Sequence, residues 1–147
     1  MEASSITIKK TYTLNNGVEM PAIGLGSAGL KDKDAIVRGV MEAGYRHIDT
    51  ATVYNNEEIV GEALAECFKQ GLKREEVFVT TKLWHSGYGD VEGTLRKSLE
   101  LLKLDHIDLY LIHWPLGYYA DPKKPLHVLW PEMEALVEKG LAKSIGV

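Results

Sequence analysis

A single cysteine, Cys67, occurs in the 147 residues. It can form no intramolecular disulfide, so a reducing, cytoplasmic setting is expected. Long apolar runs are also missing. A stretch such as Ile107 to Trp114 is interrupted by Asp108 and His113 and falls far short of the roughly 20 residues that a membrane helix needs. The N-terminus places its acid, Glu2, directly after Met1 and has no continuous apolar segment, so it does not read as a secretory signal. Lysine and arginine are scattered singly, and the formal charge is −4. No basic patch is available to neutralise a row of phosphates, which argues against a nucleic-acid partner. The histidines at 47, 85, 106, 113 and 127 show no H-x-x-x-H spacing, so no metal is expected. What is present is a globular balance of 45% apolar and 26% charged residues. That composition is read as one domain over residues 1–147, with none of the charge-heavy, apolar-poor signature of disorder.

Asn16-Gly17 lies between two short alternating runs within 11–20, a signal for a hairpin with a two-residue turn. Pro21 to Gly26 reads as a short buried strand with proline as its first residue. Helical periodicity follows, with Asp34 as N-cap, Ile36, Val37, Val40 and Met41 on one face, and Gly44 as the stop. Arg46 to Thr50 is a second strand. Asn56 is read as the cap of a helix carrying Ile59, Val60, Ala63, Leu64, Cys67 and Phe68, ended by Gly71. A strand over 77–84, a helix from Asp90, a strand over 107–114, a helix with Pro131 in its first turn, and a strand over 142–147 complete the pattern. Strand and helix alternate about every 30 residues, which predicts βαβ units and a parallel sheet. The sheet belongs either to an open doubly wound fold or to a closed eight-stranded barrel.

Gly24-Leu25-Gly26-Ser27-Ala28-Gly29 is a literal G-x-G-x-x-G after a strand, with Asp49 about 20 residues further on. In a Rossmann dinucleotide-binding domain the helix starts within those glycines, so that its N–H groups face the pyrophosphate. Here Leu30 to Asp34 intervene before the helix, which weakens that alternative. Tyr119-x-x-x-Lys123 has the spacing of a short-chain dehydrogenase pair. Pro122, inside a Pro- and Lys-rich segment, argues for a loop instead.

Polar groups recur at the strand ends: Asp49 closes the second strand, Lys82 the third and His113 the fourth, and Tyr54 follows Asp49 by five residues. In a parallel barrel these ends converge on one mouth. A buried lysine is costly unless paired, and Asp49 is the natural counter-ion. An ammonium beside a phenol stabilises the anion left after proton donation, which suits Tyr54 as a general acid. The expected chemistry is hydride attack on a carbonyl carbon while Tyr54 protonates the oxygen, with Lys82 and Asp49 tuning Tyr54 and neutral His113 polarising the oxygen. Each residue also has an ordinary alternative: Asp49 as a turn acid, His113 as a satisfied core histidine, Tyr54 as a loop aromatic, Lys82 as a snorkelling edge residue.

These motifs resemble the aldo-keto reductases over about Tyr12 to Val147. The match is carried by Leu14 to Gly26, Gly44 to Ala51, Tyr54 with Asn56-Glu57, Lys82-Leu83-Trp84 and Leu109 to Pro115. The resemblance implies that Asp49, Tyr54, Lys82 and His113 form a catalytic tetrad. It implies an NADP(H)-dependent reductase of aldehydes, ketones or sugar aldehydes, an α/β protein with the (β/α)8 barrel and the hairpin at its bottom. Gly26, Ser27 and Asp49 would contact the cofactor, and Trp84, Trp114 and His113 the carbonyl substrate. Ala28 stands where the sugar-reducing branch commonly has Trp. A barrel of this kind takes about 250 residues, so the expectation is its N-terminal portion, the hairpin plus five strands, with open edges that favour self-association. The competing reading is a non-catalytic or regulatory protein on the same scaffold, as in the family's potassium-channel β-subunit branch.

Overall fold

The computed structural model describes residues 10–115 and 124–147; the Tyr119/Lys123 spacing and the N-terminal segment lie outside them. Strands β1 (Thr11–Thr13) and β2 (Glu19–Pro21) form an antiparallel hairpin. Then come β3 (Leu25–Gly26), α1 (Lys33–Met41), β4 (His47–Asp49), α2 (Glu57–Lys69), β5 (Phe78–Leu83), α3 (Val91–Leu102), β6 (Ile107–Ile112), α4 (Leu126–Glu138) and β7 (Ala142–Gly146). The five parallel strands lie in the order β3-β4-β5-β6-β7. Every crossover therefore steps to the adjacent strand in the same direction. A Rossmann sheet reverses its strand order at a switch point, and these five strands contain no reversal, so the Rossmann alternative fails.

The helices cover one face of the sheet. Ile36 and Val40 of α1, Val60 and Leu64 of α2, Leu95, Leu99 and Leu102 of α3, and Leu129, Met133 and Leu136 of α4 pack with Val79, Leu83, Tyr110 and Ile112 of the strands. Each fully buried aliphatic side chain contributes roughly 1.5–3 kcal/mol. Helices α2 and α3 come close at Gly61, where a Cβ would lie 2.2 Å from the Leu101 carbonyl oxygen; only glycine fits there. At the other end of the sheet, hairpin residues Val18, Glu19 and Pro21 line a cleft with Arg46, Val77, Asp108 and Lys143 from the strand starts. Asn16 Nδ2 also donates to Lys143 O at 2.9 Å. The hairpin thus closes the N-terminal end of the strands, and the C-terminal end is left for a site.

Several local expectations are corrected. The hairpin loop has three residues, Asn15 to Gly17: Gly17 N–H donates to Leu14 O and Leu14 N–H to Val18 O. A two-residue type I′ turn needs two central positive φ values, whereas here only Gly17 is positive, at 84°. Pro21 ends the hairpin, and the following strand shortens to Leu25–Gly26. Asp32, not Asp34, caps α1, accepting from Asp34 N–H at 2.9 Å. Pro131 lies inside α4 rather than in its first turn, because Pro125 already occupies the N-cap. Asp90 caps α3 as expected, accepting from Gly93 N–H at 2.8 Å.

Candidate active site

Lys82 points away from the helices, since Thr81 beside it faces them and side chains alternate along a strand. The residue is only 8% exposed, and its ammonium is compensated three times. It donates to Asp49 Oδ1 at 2.5 Å, to Thr50 O at 2.9 Å and toward the Tyr54 hydroxyl oxygen at 3.5 Å. Asp49 arrives from β4, the neighbour of β5. Tyr54 arrives on a single 3-10 turn, Thr52–Tyr54, which ends at Asn55 in the left-handed region with φ 52°. Thr52 Oγ1 fastens this turn to Lys82 O at 3.0 Å.

His113 follows β6 and extends its pairing, with N–H donating to Leu83 O at 3.0 Å. Its ring meets Tyr54 edge-on at 5.6 Å between centroids, and Trp84 at 5.2 Å. Burial, reinforced by the Lys82 ammonium, holds the imidazole below its usual titration range despite the opposing pull of Asp49. It is therefore neutral at pH 7, with Nδ1 buried and lacking a hydrogen-bond partner among the described residues. Trp84 and Trp114 form an aromatic wall, 5.2 Å apart, and Trp114 is half exposed. Tyr88 Oη donates to Trp114 O at 3.3 Å from beneath.

Ser27 follows β3, and its N–H donates to Asp49 O at 2.9 Å. Among the described residues its hydroxyl is buried without a partner, and a Cβ placed on Gly26 would meet nothing within 4 Å. The structure thus brings Asp49, Tyr54, Lys82, His113, Trp84, Trp114, Gly26 and Ser27 to one end of the sheet. An orphaned hydroxyl, an orphaned imidazole nitrogen and open space above a glycine there fit the amide-bearing ring of a nicotinamide cofactor. Among the described residues no group of three His, Cys, Asp or Glu could hold a metal ion, and no helix is long and apolar enough to cross a membrane.

Sequence reasoning missed Asn56 and Glu57 as site residues. Asn56 makes no side-chain cap bond. Its Nδ2 donates to Ser27 O at 2.7 Å and Leu30 O at 3.1 Å, and its Oδ1 accepts from Thr50 Oγ1 at 3.1 Å. Glu57 is 4% exposed and accepts from Thr81 Oγ1 and Ser98 Oγ. The available signal was phase: Glu57 falls in register with Val60, Leu64 and Cys67 on the buried stripe of α2.

Five neighbouring parallel strands, with a lysine, an acid and a histidine at their C-terminal ends and a tyrosine on the turn after β4, form a βα-barrel type of arrangement. The Aldo/keto reductase family model matches residues 22–147, and the chain belongs to that family. It is 43% identical over 158 residues to an aldose reductase from Encephalitozoon cuniculi, covering 95% of this chain and 52% of that protein. It is 44% identical over 159 residues to an NADP-dependent D-sorbitol-6-phosphate dehydrogenase from Malus domestica, covering 93% and 51%. Its structure superposes on a Bombyx mori aldo-keto reductase in complex with NADP with a TM-score of 0.84 at 39% identity, covering 97% of this chain and 51% of that one. The chain therefore spans about half the length of these relatives, and its fold is the corresponding part of a (β/α)8 barrel.

Proposed function

We propose that residues 1–147 form one domain, the N-terminal portion of an NADP(H)-dependent oxidoreductase barrel that reduces aldehydes or ketones, sugar aldehydes included, to alcohols. The observation that carries this reading is the contact of Lys82 Nζ with both Asp49 Oδ1 and the Tyr54 hydroxyl. The relatives' printed names, an aldose reductase and an NADP-dependent dehydrogenase, support it. When bound, the cofactor supplies the hydride. Gly26, Ser27 and Asp49 would hold its nicotinamide end.

The chain's own residues account for the proton. Tyr54 Oη donates to the carbonyl oxygen as negative charge develops there, acting as general acid. The Lys82 ammonium lies beside the oxygen left negative by that donation and offsets its charge, and Asp49 keeps Lys82 aimed at it. Neutral His113 orients the carbonyl oxygen by hydrogen bonding. Trp84 and Trp114 give the substrate an apolar wall and shield the reacting atoms from water. Buried Cys67 requires no oxidising compartment, and the reading places the protein in the cytoplasm. The outer edges of β3 and β7, unpaired among the described residues, would let the 147-residue chain associate with itself; sedimentation velocity of that chain checks this, and a single monomeric boundary across concentration excludes it.

The experiment that tests the function monitors Trp fluorescence on adding NADPH, and then oxidation of NADPH on adding an aldehyde. Saturable quenching with turnover that Tyr54→Phe removes is the expected result. Turnover that survives Tyr54→Phe overturns the role of Tyr54. Quenching without any turnover favours the binding or regulatory alternative.

A further inference from the structure

Tyr54 and Lys82 lie on different elements, and the local chain does not by itself fix their separation. Tyr54 is followed by Asn55 in the left-handed region, at φ 52° and ψ 38°, which asparagine tolerates through a local bond, here from Asn55 Nδ2 to Val53 O at 3.1 Å. The next two residues tie this turn to distant parts of the chain. Asn56 is 3% exposed, and all three of its bonds reach away from its own helix, to the carbonyls of Ser27 and Leu30 and to the Thr50 hydroxyl. An asparagine so placed uses both amide donors and its acceptor, so the loop after β3 and the end of β4 share one anchor. Glu57 reaches in the opposite direction. Its Oε1 accepts from Thr81 Oγ1 at 2.6 Å, one residue before Lys82, and its Oε2 accepts from Ser98 Oγ of α3 at 3.1 Å.

The geometry points to the Asn56–Glu57 pair as a positioning device: Glu57 sets the Tyr54–Lys82 separation through Thr81, and Asn56 holds the Ser27–Leu30 loop beside it. This rests on the proposed roles of Tyr54 and Lys82 but assigns to the pair a task that neither the helix-cap expectation nor those roles contain. Such a buried acid is retained at a cost. Desolvation pushes the Glu57 carboxyl up, with the two hydroxyl donors acting against it; a leucine at this helix position would avoid that desolvation but would take the acceptor from the buried Thr81 and Ser98 hydroxyls. Both residues are positioning residues, since neither touches the reacting atoms.

The test labels the chain with 3-fluorotyrosine and follows the Tyr54 fluorine resonance, assigned by its loss in Tyr54→Phe. Lys82→Met calibrates the shift that marks a lost ammonium. Glu57→Ala is expected to move the resonance toward the Lys82→Met position, while Glu57→Gln, which still bonds both hydroxyls, keeps it native. Leu136→Ala, a core substitution in α4, lowers the melting temperature without moving it. Where the chain turns over aldehyde, Glu57→Ala lowers kcat about ten- to a hundredfold with KM little changed. Asn56→Ala speeds hydrogen exchange at the Leu30 amide, which donates to Ser27 O, by about tenfold or more. An unmoved resonance in Glu57→Ala, or an equal shift in Leu136→Ala, overturns the role of Glu57; unchanged exchange at Leu30 overturns that of Asn56. If Glu57→Ala does not fold, Thr81→Val breaks the same link and is judged by the same shift. A resonance insensitive to Lys82→Met overturns the Tyr54–Lys82 pairing itself, and with it both readings.

Discussion

The two ends of the parallel sheet each hold an acid bound to a cation, and they treat it differently. At the N-terminal end Asp108 is 6% exposed in its side chain, and both oxygens are engaged. Oδ2 accepts from Arg74 at 2.7 Å and Val79 N–H at 2.9 Å, and Oδ1 from Lys143 at 3.0 Å, beneath a hairpin that closes the end. At the C-terminal end Asp49 is one-third exposed and meets Lys82 through Oδ1 only. Around it stand the orphaned Ser27 hydroxyl and His113 Nδ1. The acid that is closed in by its own chain stabilises the fold. The acid with unused acceptor capacity is the one left one-third exposed at the open end of the sheet, where a second group can still reach it.

Substitutions at the two ends should therefore fail in different assays. The largest effect is expected from Tyr54→Phe, which removes a general acid worth about 10²- to 10⁴-fold in rate while leaving NADPH quenching and the denaturation midpoint close to native. A parallel loss of stability would erase the distinction between the ends. Next, Asp108→Ala strands Arg74 and Lys143 and should cost about 3 kcal/mol in urea unfolding, the lower part of the range for breaking a buried pair because Lys143 is half exposed. Asp49→Asn, at a wetter site, should cost less than half as much. Equal losses would show that both carboxylates serve the fold alike.

A smaller effect concerns pH. His47, near the strand starts, is bonded to Thr80 Oγ1 at 2.9 Å, and burial holds it below its usual range; His113 is held down by burial and by Lys82. Both fold in the neutral form. The stability they contribute is present above the unfolded value near 6.5 and is lost as pH falls through their lower folded values. Urea midpoints should fall below pH 6.5, and His47→Gln and His113→Gln should each flatten that slope. Lys82→Met should raise the His113 midpoint, read by histidine ring NMR, more than that of His47, for which Lys82 is a lesser cause than burial, Asp49 and Pro21. The smallest effect belongs to Asn16→Ala, which removes the hairpin's bonds to Lys143 O and Ser144 Oγ and should cost about 0.5–1.5 kcal/mol. No change would mean that the hairpin is held by β1–β2 and its other contacts alone.

Much of this fold was legible in the residues because its signals are local. Ile36 and Val40, or Leu95, Leu99 and Leu102, recur at helical spacing, and Asp90 precedes its helix as a cap should. The strand-end positions of Asp49, Lys82 and His113 followed from the same periodicity, as did Tyr54 on the loop between β4 and α2. Errors arose where one residue type serves two purposes. Asn16-Gly17 suits both a two-residue and a three-residue turn, and the backbone of Asn15 and Asn16 chose the latter. Pro131 is favoured in a first helical turn, yet the helix starts earlier, at Leu126. Asn56 is a good N-cap by type, but its amide goes to Ser27 and Leu30, 29 and 26 residues away.

The sequence by itself determined the alternation of strand and helix, the hairpin, and which polar groups stand at strand ends, because each depends on neighbours within a few residues. Only the tertiary structure decided that the five strands run in sequential order, that Lys82 Nζ reaches Asp49 and Tyr54 together, and that Glu57 spans Thr81 and Ser98. Those choices are made by hydrogen bonds between groups 24 to 41 residues apart. A buried donor must find its acceptor wherever the packed chain brings one, and no local pattern names that partner.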